Sequence, residues 1–96
     1  LMHTAVKYIE EAAEELEAER GPSNELGRLT DQAAKILIDS GGFRLLQAKS
    51  HGGYEADITD FLAWVRTVAR ANPSSLAMIR PHLRRLHTHQ WAEQFP

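Results

Sequence analysis

The 96-residue chain contains no cysteine. That absence excludes a disulfide framework, a thiol nucleophile and a thiolate metal site, and it leaves a cytosolic address as the default expectation. No apolar run approaches the roughly 20 residues needed to cross a bilayer, and the acidic N-terminal stretch resembles neither a signal nor a transit peptide. No membrane association is expected. Charge of one sign is also lacking: 11 Lys and Arg stand against 13 Asp and Glu, a formal net charge of -2. Such a balance gives no global attraction to nucleic acid. The sequence carries no P-loop, dinucleotide fingerprint, nucleophile elbow or paired-carboxylate pattern. It also shows no strand of convincing alternation, no internal repeat and no low-complexity linker. What is present, 43% hydrophobic residues, suffices for one modest all-α domain over residues 1–96.

Helical spacing accounts for most of the chain. From Thr4 to Arg20, Val6, Ile9, Ala13 and Leu16 recur at intervals of three and four, and Glu10, Glu11, Glu14, Glu15, Glu17 and Glu19 cover the other faces. Thr4 is the expected cap of this helix, and Gly21 followed by Pro22 its expected stop. Thr30 is placed to cap a brief, mostly buried second helix through Ile36, Leu37 and Ile38 to Gly41. Asp57 precedes a third, whose predicted stripe is Ile58, Phe61, Leu62, Val65, Val68 and Ala69 with Trp64 beside it. Ser74 or Ser75 is the expected cap of a fourth helical segment running to Phe95, which Pro81 should kink or divide.

Two clusters of polar residues lie in that last segment. His87, His89 and Glu93 invite a metal reading, but only His89 and Glu93 have the spacing of a helical chelate, so a surface ion pair is expected and no metal. Arg80, Arg84 and Arg85 form the basic cluster, suited either to solvent or to a phosphate group.

The stretch "GGFRLLQAKSHGGYEAD", residues 41–57, sets an apolar "FRLL" between two glycine pairs. It resembles the segment of type G-x-[LF]-x-L-L-x-P-x-x-[YWF]-G-G-x-x-[AG]-D that links the second and third helices in the N-terminal domain of the acyl-CoA dehydrogenase superfamily. Ala48 stands at the usual proline and His51 at the usual aromatic position. The flanking "NELGRLTDQAAKILIDSGG" and "FLAWVRTVARANPSSLA" are similar to the family's neighbouring helices, so the resemblance covers residues 5–96.

The resemblance implies an N-terminal helical domain of four to five helices with a Gly-Gly loop between the second and third. It further implies a fragment of a longer chain that continues into a middle β domain and a C-terminal bundle. The whole would assemble as a homo-oligomer around FMN or FAD bound mainly outside residues 1–96, and the fragment alone would be inactive. Within the superfamily, "SLAMIRPHLRRLHTHQW" is similar to the S-L-x-x-x-x-x-H and H-x-W patterns of its flavin-dependent monooxygenases. That branch includes dibenzothiophene monooxygenase and two-component aromatic hydroxylases. His82 matches the first pattern; His89 and Trp91 match the second.

By this resemblance His82 and His89 are the expected catalytic residues, and Trp91, Leu76 and Arg80 the expected substrate-binding ones. The implied reaction inserts one oxygen atom from a flavin hydroperoxide into a small organic substrate, with a separate flavin reductase as partner. A hydrogen-bond donor and a water-excluding wall suit that chemistry. Two alternatives stand beside it. One is an acyl-CoA dehydrogenase that oxidises an acyl thioester with FAD. The other is a free-standing interaction module presenting "RPHLRRLHTHQW". As a fragment, the chain would expose Trp64, Trp91 and Phe95 on a face meant for missing domains.

Overall fold

A computed structural model describes the backbone over residues 2–88 and the side chains over residues 2–82, His51 excepted. Its elements are α1 (Thr4–Glu11), α2 (Ala13–Ala18), α3 (Arg20–Leu26), α4 (Asp31–Ser40), α5 (Ile58–Ala71) and α6 (Leu76–Thr88), with 3-10 turns at Gly42–Arg44, Lys49–His51 and Pro73–Ser75. No strand occurs among the described residues, so the chain is all-α there.

The expected first helix is three consecutive segments. Ala12 and Glu19, with ψ of 2° and -1°, interrupt the regular turn twice, although Leu16 still donates to the Ala12 carbonyl and Ser23 to the Glu19 carbonyl. The expected stop at Gly21 and Pro22 is wrong. Because the ladder restarts at Glu19, Pro22 falls in the first turn of α3, where an amide N–H has no intrahelical acceptor to lose. The run ends instead at Gly27, whose φ of 72° lets Arg28 N–H return to the Ser23 carbonyl and Gly27 N–H to the Asn24 carbonyl. Thr4 is not the cap either: His3 holds the extended conformation before α1, and its Nδ1 accepts from Ala5 N–H at 3.0 Å.

Thr30 caps α4 as its position predicts, its hydroxyl accepting from Ala33 N–H at 3.2 Å. The same hydroxyl donates to Glu19 Oε1 at 2.7 Å, and Thr30 N–H donates to Ser23 Oγ at 3.2 Å, so one residue ties α4 to the α2–α3 junction. Thr30→Ala should therefore cost about 1.5 kcal/mol, a lost cap plus a lost carboxylate partner. Urea unfolding of Thr30→Ala beside Thr30→Ser measures it; Thr30→Ser should retain most of the stability, and equal loss in both would deny the hydroxyl its role. Helix α4 is less buried than expected, since Ile38 is 58% exposed while Ala33, Ile36 and Leu37 face the core.

Helix α5 packs on α1 and α2, and α4 lies against α1. Its buried residues are Ile58, Phe61, Trp64, Val68 and Ala71, so the inward stripe is rotated from the expected one. Leu62 points outward at 42% exposure, and Trp64, at 0%, is central to the core rather than part of a face awaiting other domains. Asn72, just past α5, sends its amide to the Leu16 carbonyl at 3.2 Å, joining the far end of α5 to α2. Ser74 and Ser75 lie in the 3-10 turn before α6; the Ser74 hydroxyl donates to Asn24 Oδ1 at 3.3 Å, tying this turn to α3. Helix α6 runs through Pro81 without being divided.

The connection over residues 41–57 folds back on itself. Amides of Gly53, Tyr54, Glu55 and Ala56 donate to carbonyls of Ala48, Arg44, Gln47 and Leu45, so the loop meets its own backbone demand while Leu45 and Leu46 enter the core. Gly41 adopts φ of 82° to end α4. Gly42 lies so close to the indole that a Cβ there would sit 1.9 Å from Trp64 Cε2.

Candidate functional site

His82 lies in α6, six residues into a helix whose inner face is set by Ile79, fully buried. Its ring packs on Phe43 with centroids 4.4 Å apart and planes tilted by 32°. Phe43 comes from the turn Gly42–Arg44, which α4 delivers through the Gly41 cap. Phe43 in turn meets Trp64 of α5 edge-on, at 5.2 Å and 69°. Trp64 stacks on Phe61 at 6.1 Å and donates from its indole N–H to Ser40 Oγ at 2.9 Å. Three elements thus converge on an aromatic wall: Trp64 buried beneath, Phe43 and His82 half-buried above.

The other expected site residues do not join it. Arg80 follows α6 two residues before His82, hence about 160° away around the axis at 3.6 residues per turn. Both Arg80 and Leu76 are exposed. Of the site residues expected from the sequence, His82 alone reaches the aromatic wall within the described part of the chain. His89 and Trp91 lie outside the described residues, as do Glu93 and Phe95; for His87, Arg84 and Arg85 the side chains lie outside it. Phe43, Trp64 and Ser40 were not singled out as site residues. Their signal in the sequence is slight, a serine and a phenylalanine bracketing a glycine pair, because the partners are 24 and 39 residues away.

Other polar groupings are structural in character. Arg44 donates to Tyr54 Oη at 2.8 Å and lies 4.9 Å over that ring, while His3 packs on the same ring at 5.0 Å, pinning the start of α1 to the loop. Lys35 has its pKa raised by its hydrogen bond to Asp39 and by that carboxylate's charge; both are exposed, and such a pair is worth little to stability. A cleft of about 360 Å³ between α3 and α6 is lined by Ser23, Asn24, Arg28, Ser74 and Met78 among others. The Arg28 guanidinium at its edge donates to the Leu29 carbonyl at 3.2 Å and lies 3.7 Å from the Asp31 carboxylate, both contacts exposed. Among the described residues no group of three His, Asp or Glu is placed to hold a metal ion, and no helix is long and apolar enough to cross a membrane.

No family profile and no solved structure matches this chain. Two relatives do. The chain is 33% identical over 75 residues to a pigment production hydroxylase of Rhodococcus erythropolis, a match that takes in 78% of this chain and 19% of the relative. It is 43% identical over 49 residues to the oxygenase subunit HsaA of a flavin-dependent monooxygenase of Rhodococcus jostii, covering 51% of this chain and 13% of that protein. The chain thus spans about a fifth or less of the length of these relatives. These distant similarities link the chain to one protein named as a hydroxylase and one named as a flavin-dependent monooxygenase.

Proposed function

We propose that this chain forms one wall of the active site in the oxygenase component of a two-component flavin-dependent monooxygenase of acyl-CoA dehydrogenase fold. The observation that carries this reading is the half-buried His82 seated on Phe43, which itself stands edge-on to Trp64, in a chain whose relatives are named as a hydroxylase and a monooxygenase. Those names favour the monooxygenase branch over the acyl-CoA dehydrogenase branch and over a non-catalytic interaction module.

On this reading the flavin, FMN or FAD, is held mainly by parts of the protein beyond residues 1–96. When bound, the flavin supplies the activated oxygen. A separate reductase delivers it reduced, the substrate is a small organic molecule, and the full protein is a homo-oligomer in the cytoplasm. His82 has the task of holding or moving a proton at an imidazole nitrogen beside the reacting group, since imidazole is the side chain whose ordinary pKa allows this near neutral pH. Phe43, backed by Trp64, packs on its ring and keeps water from that side. Leu76, Arg80, His89 and Trp91 remain proposed contributors, with Arg80 and Leu76 on the outer face of α6 and so suited to meeting another part of the protein.

His82→Ala in the intact protein, supplied with reduced flavin, should lower the rate of product formation about 100-fold while flavin oxidation continues. Product and oxidised flavin measured together test this. Unchanged product per flavin oxidised would remove His82 from the active site.

A further inference from the structure

Ser40, the last residue of α4, is a buried hydroxyl with all its hydrogen-bonding capacity in use. Its Oγ donates to the Leu37 carbonyl at 2.6 Å and accepts from Gly42 N–H at 3.2 Å and from Trp64 Nε1–H at 2.9 Å. A serine hydroxyl offers one donor and two acceptor sites, and these three bonds fill them. Two of the three lead to Phe43. The Gly42 amide fixes the first residue of the turn that carries Phe43, and the indole is the ring against which Phe43 stands edge-on. Phe43 then bears the imidazole of His82 at 4.4 Å.

We propose that Ser40 is a positioning residue for His82, acting through Gly42, Trp64 and Phe43. This rests on the reading of His82 as the proton-carrying group of the site. The physical basis is that Phe43 is only half-buried and sits in a short 3-10 turn, so nothing in its own segment holds its ring as firmly as a core position would. Ser40 supplies that rigidity twice over, through the backbone before Phe43 and through the ring beside it. Without the hydroxyl, Gly42 N–H and the indole N–H lose their common acceptor in a dry environment. Each then relaxes toward another partner, and Phe43 moves with them.

The test is the set of ring-to-ring nuclear Overhauser contacts between Phe43 and His82 in the intact protein, with both residue types labelled selectively. The wild-type protein should show them. Ser40→Ala should lose them while its folded fraction is still in majority, and Trp64→Phe, which keeps a ring and the Gly42 bond, should weaken them. A merely structural role for Ser40 would lower the melting temperature and leave the contacts of the folded protein intact, which overturns the proposal. Should Ser40→Ala fail to fold, Trp64→Phe carries the test, and undiminished contacts there overturn it equally. Loss of contacts in Ser40→Ala combined with unchanged turnover in His82→Ala supports the positioning of the ring and refutes instead the role assigned to His82.

Discussion

Trp64→Ala should lower the stability of the fold by about 4 kcal/mol, the range observed for deleting a fully buried aromatic ring. Trp64 is 0% exposed, the largest of the fully buried side chains, and touches Phe43 and Phe61. Its removal opens a cavity where α5 faces the loop after α4, and it leaves Ser40 Oγ without one of its two donors. Domains of this size have a total stability of about 5–15 kcal/mol, so the variant should sit close to unfolding, with a melting temperature lowered by about 20 °C. Trp64→Phe should lose about 2 kcal/mol, because the ring remains while the indole N–H and part of the volume go. Circular dichroism of thermal and urea unfolding gives both numbers. A loss below about 1 kcal/mol in Trp64→Ala would place the indole outside the core.

Gly42→Ala is the second large effect, expected at about 3 kcal/mol. An added Cβ would meet Trp64 Cε2 at 1.9 Å and Cζ2 at 2.3 Å, and the indole cannot retreat without breaking its bond to Ser40. Gly53→Ala should cost as much for a different reason: its Cβ would lie 2.1 Å from the Gln47 carbonyl oxygen, a backbone atom held by Glu55 N–H. Gly21 is the control. It lies in the first turn of α3 with nothing within 4 Å of its Cβ position, so Gly21→Ala should gain about 0.5 kcal/mol from lower backbone entropy in the unfolded chain. If the three substitutions unfold at one urea concentration, close packing is not what the second glycine of each pair provides.

What could be read from the sequence was what is decided locally. Thr30 and Gly41 bound α4 as their residue types predict, because capping involves a backbone group within three or four residues. The all-helical class followed from periodicity for the same reason. Positions decided by distant partners were read less well. Apolar counting put Leu62 in the stripe of α5 and Trp64 beside it, whereas the indole can be buried because Ser40, 24 residues earlier, accepts its N–H and Gly42 clears its path. The Gly21–Pro22 pair reads as a stop until Glu19 is known to restart the ladder before it. Histidine rarely serves as a cap, and His3 does so with its ring packed on Tyr54 of the distant loop.

The candidate site follows the same rule. The spacing of His82 from Ser75 and Leu76 carries the resemblance, but its setting is not legible in the sequence. Phe43 reaches it from 39 residues upstream, and that meeting depends on how α4, its glycine cap and α5 stack. Leu76 and Arg80 share a helix with His82, yet helical rotation turns them to the other side. Sequence proximity suggested one cluster where geometry gives two faces.

The most direct test of the account is a structure of the intact protein with flavin and its organic substrate bound, read for the distance from the His82 ring to the substrate. The account predicts a His82 nitrogen within hydrogen-bond reach, about 2.6–3.2 Å, of the reacting group, with Phe43 still packed behind the imidazole. A flavin and substrate bound elsewhere, with His82 enclosed by protein on every side, would contradict it.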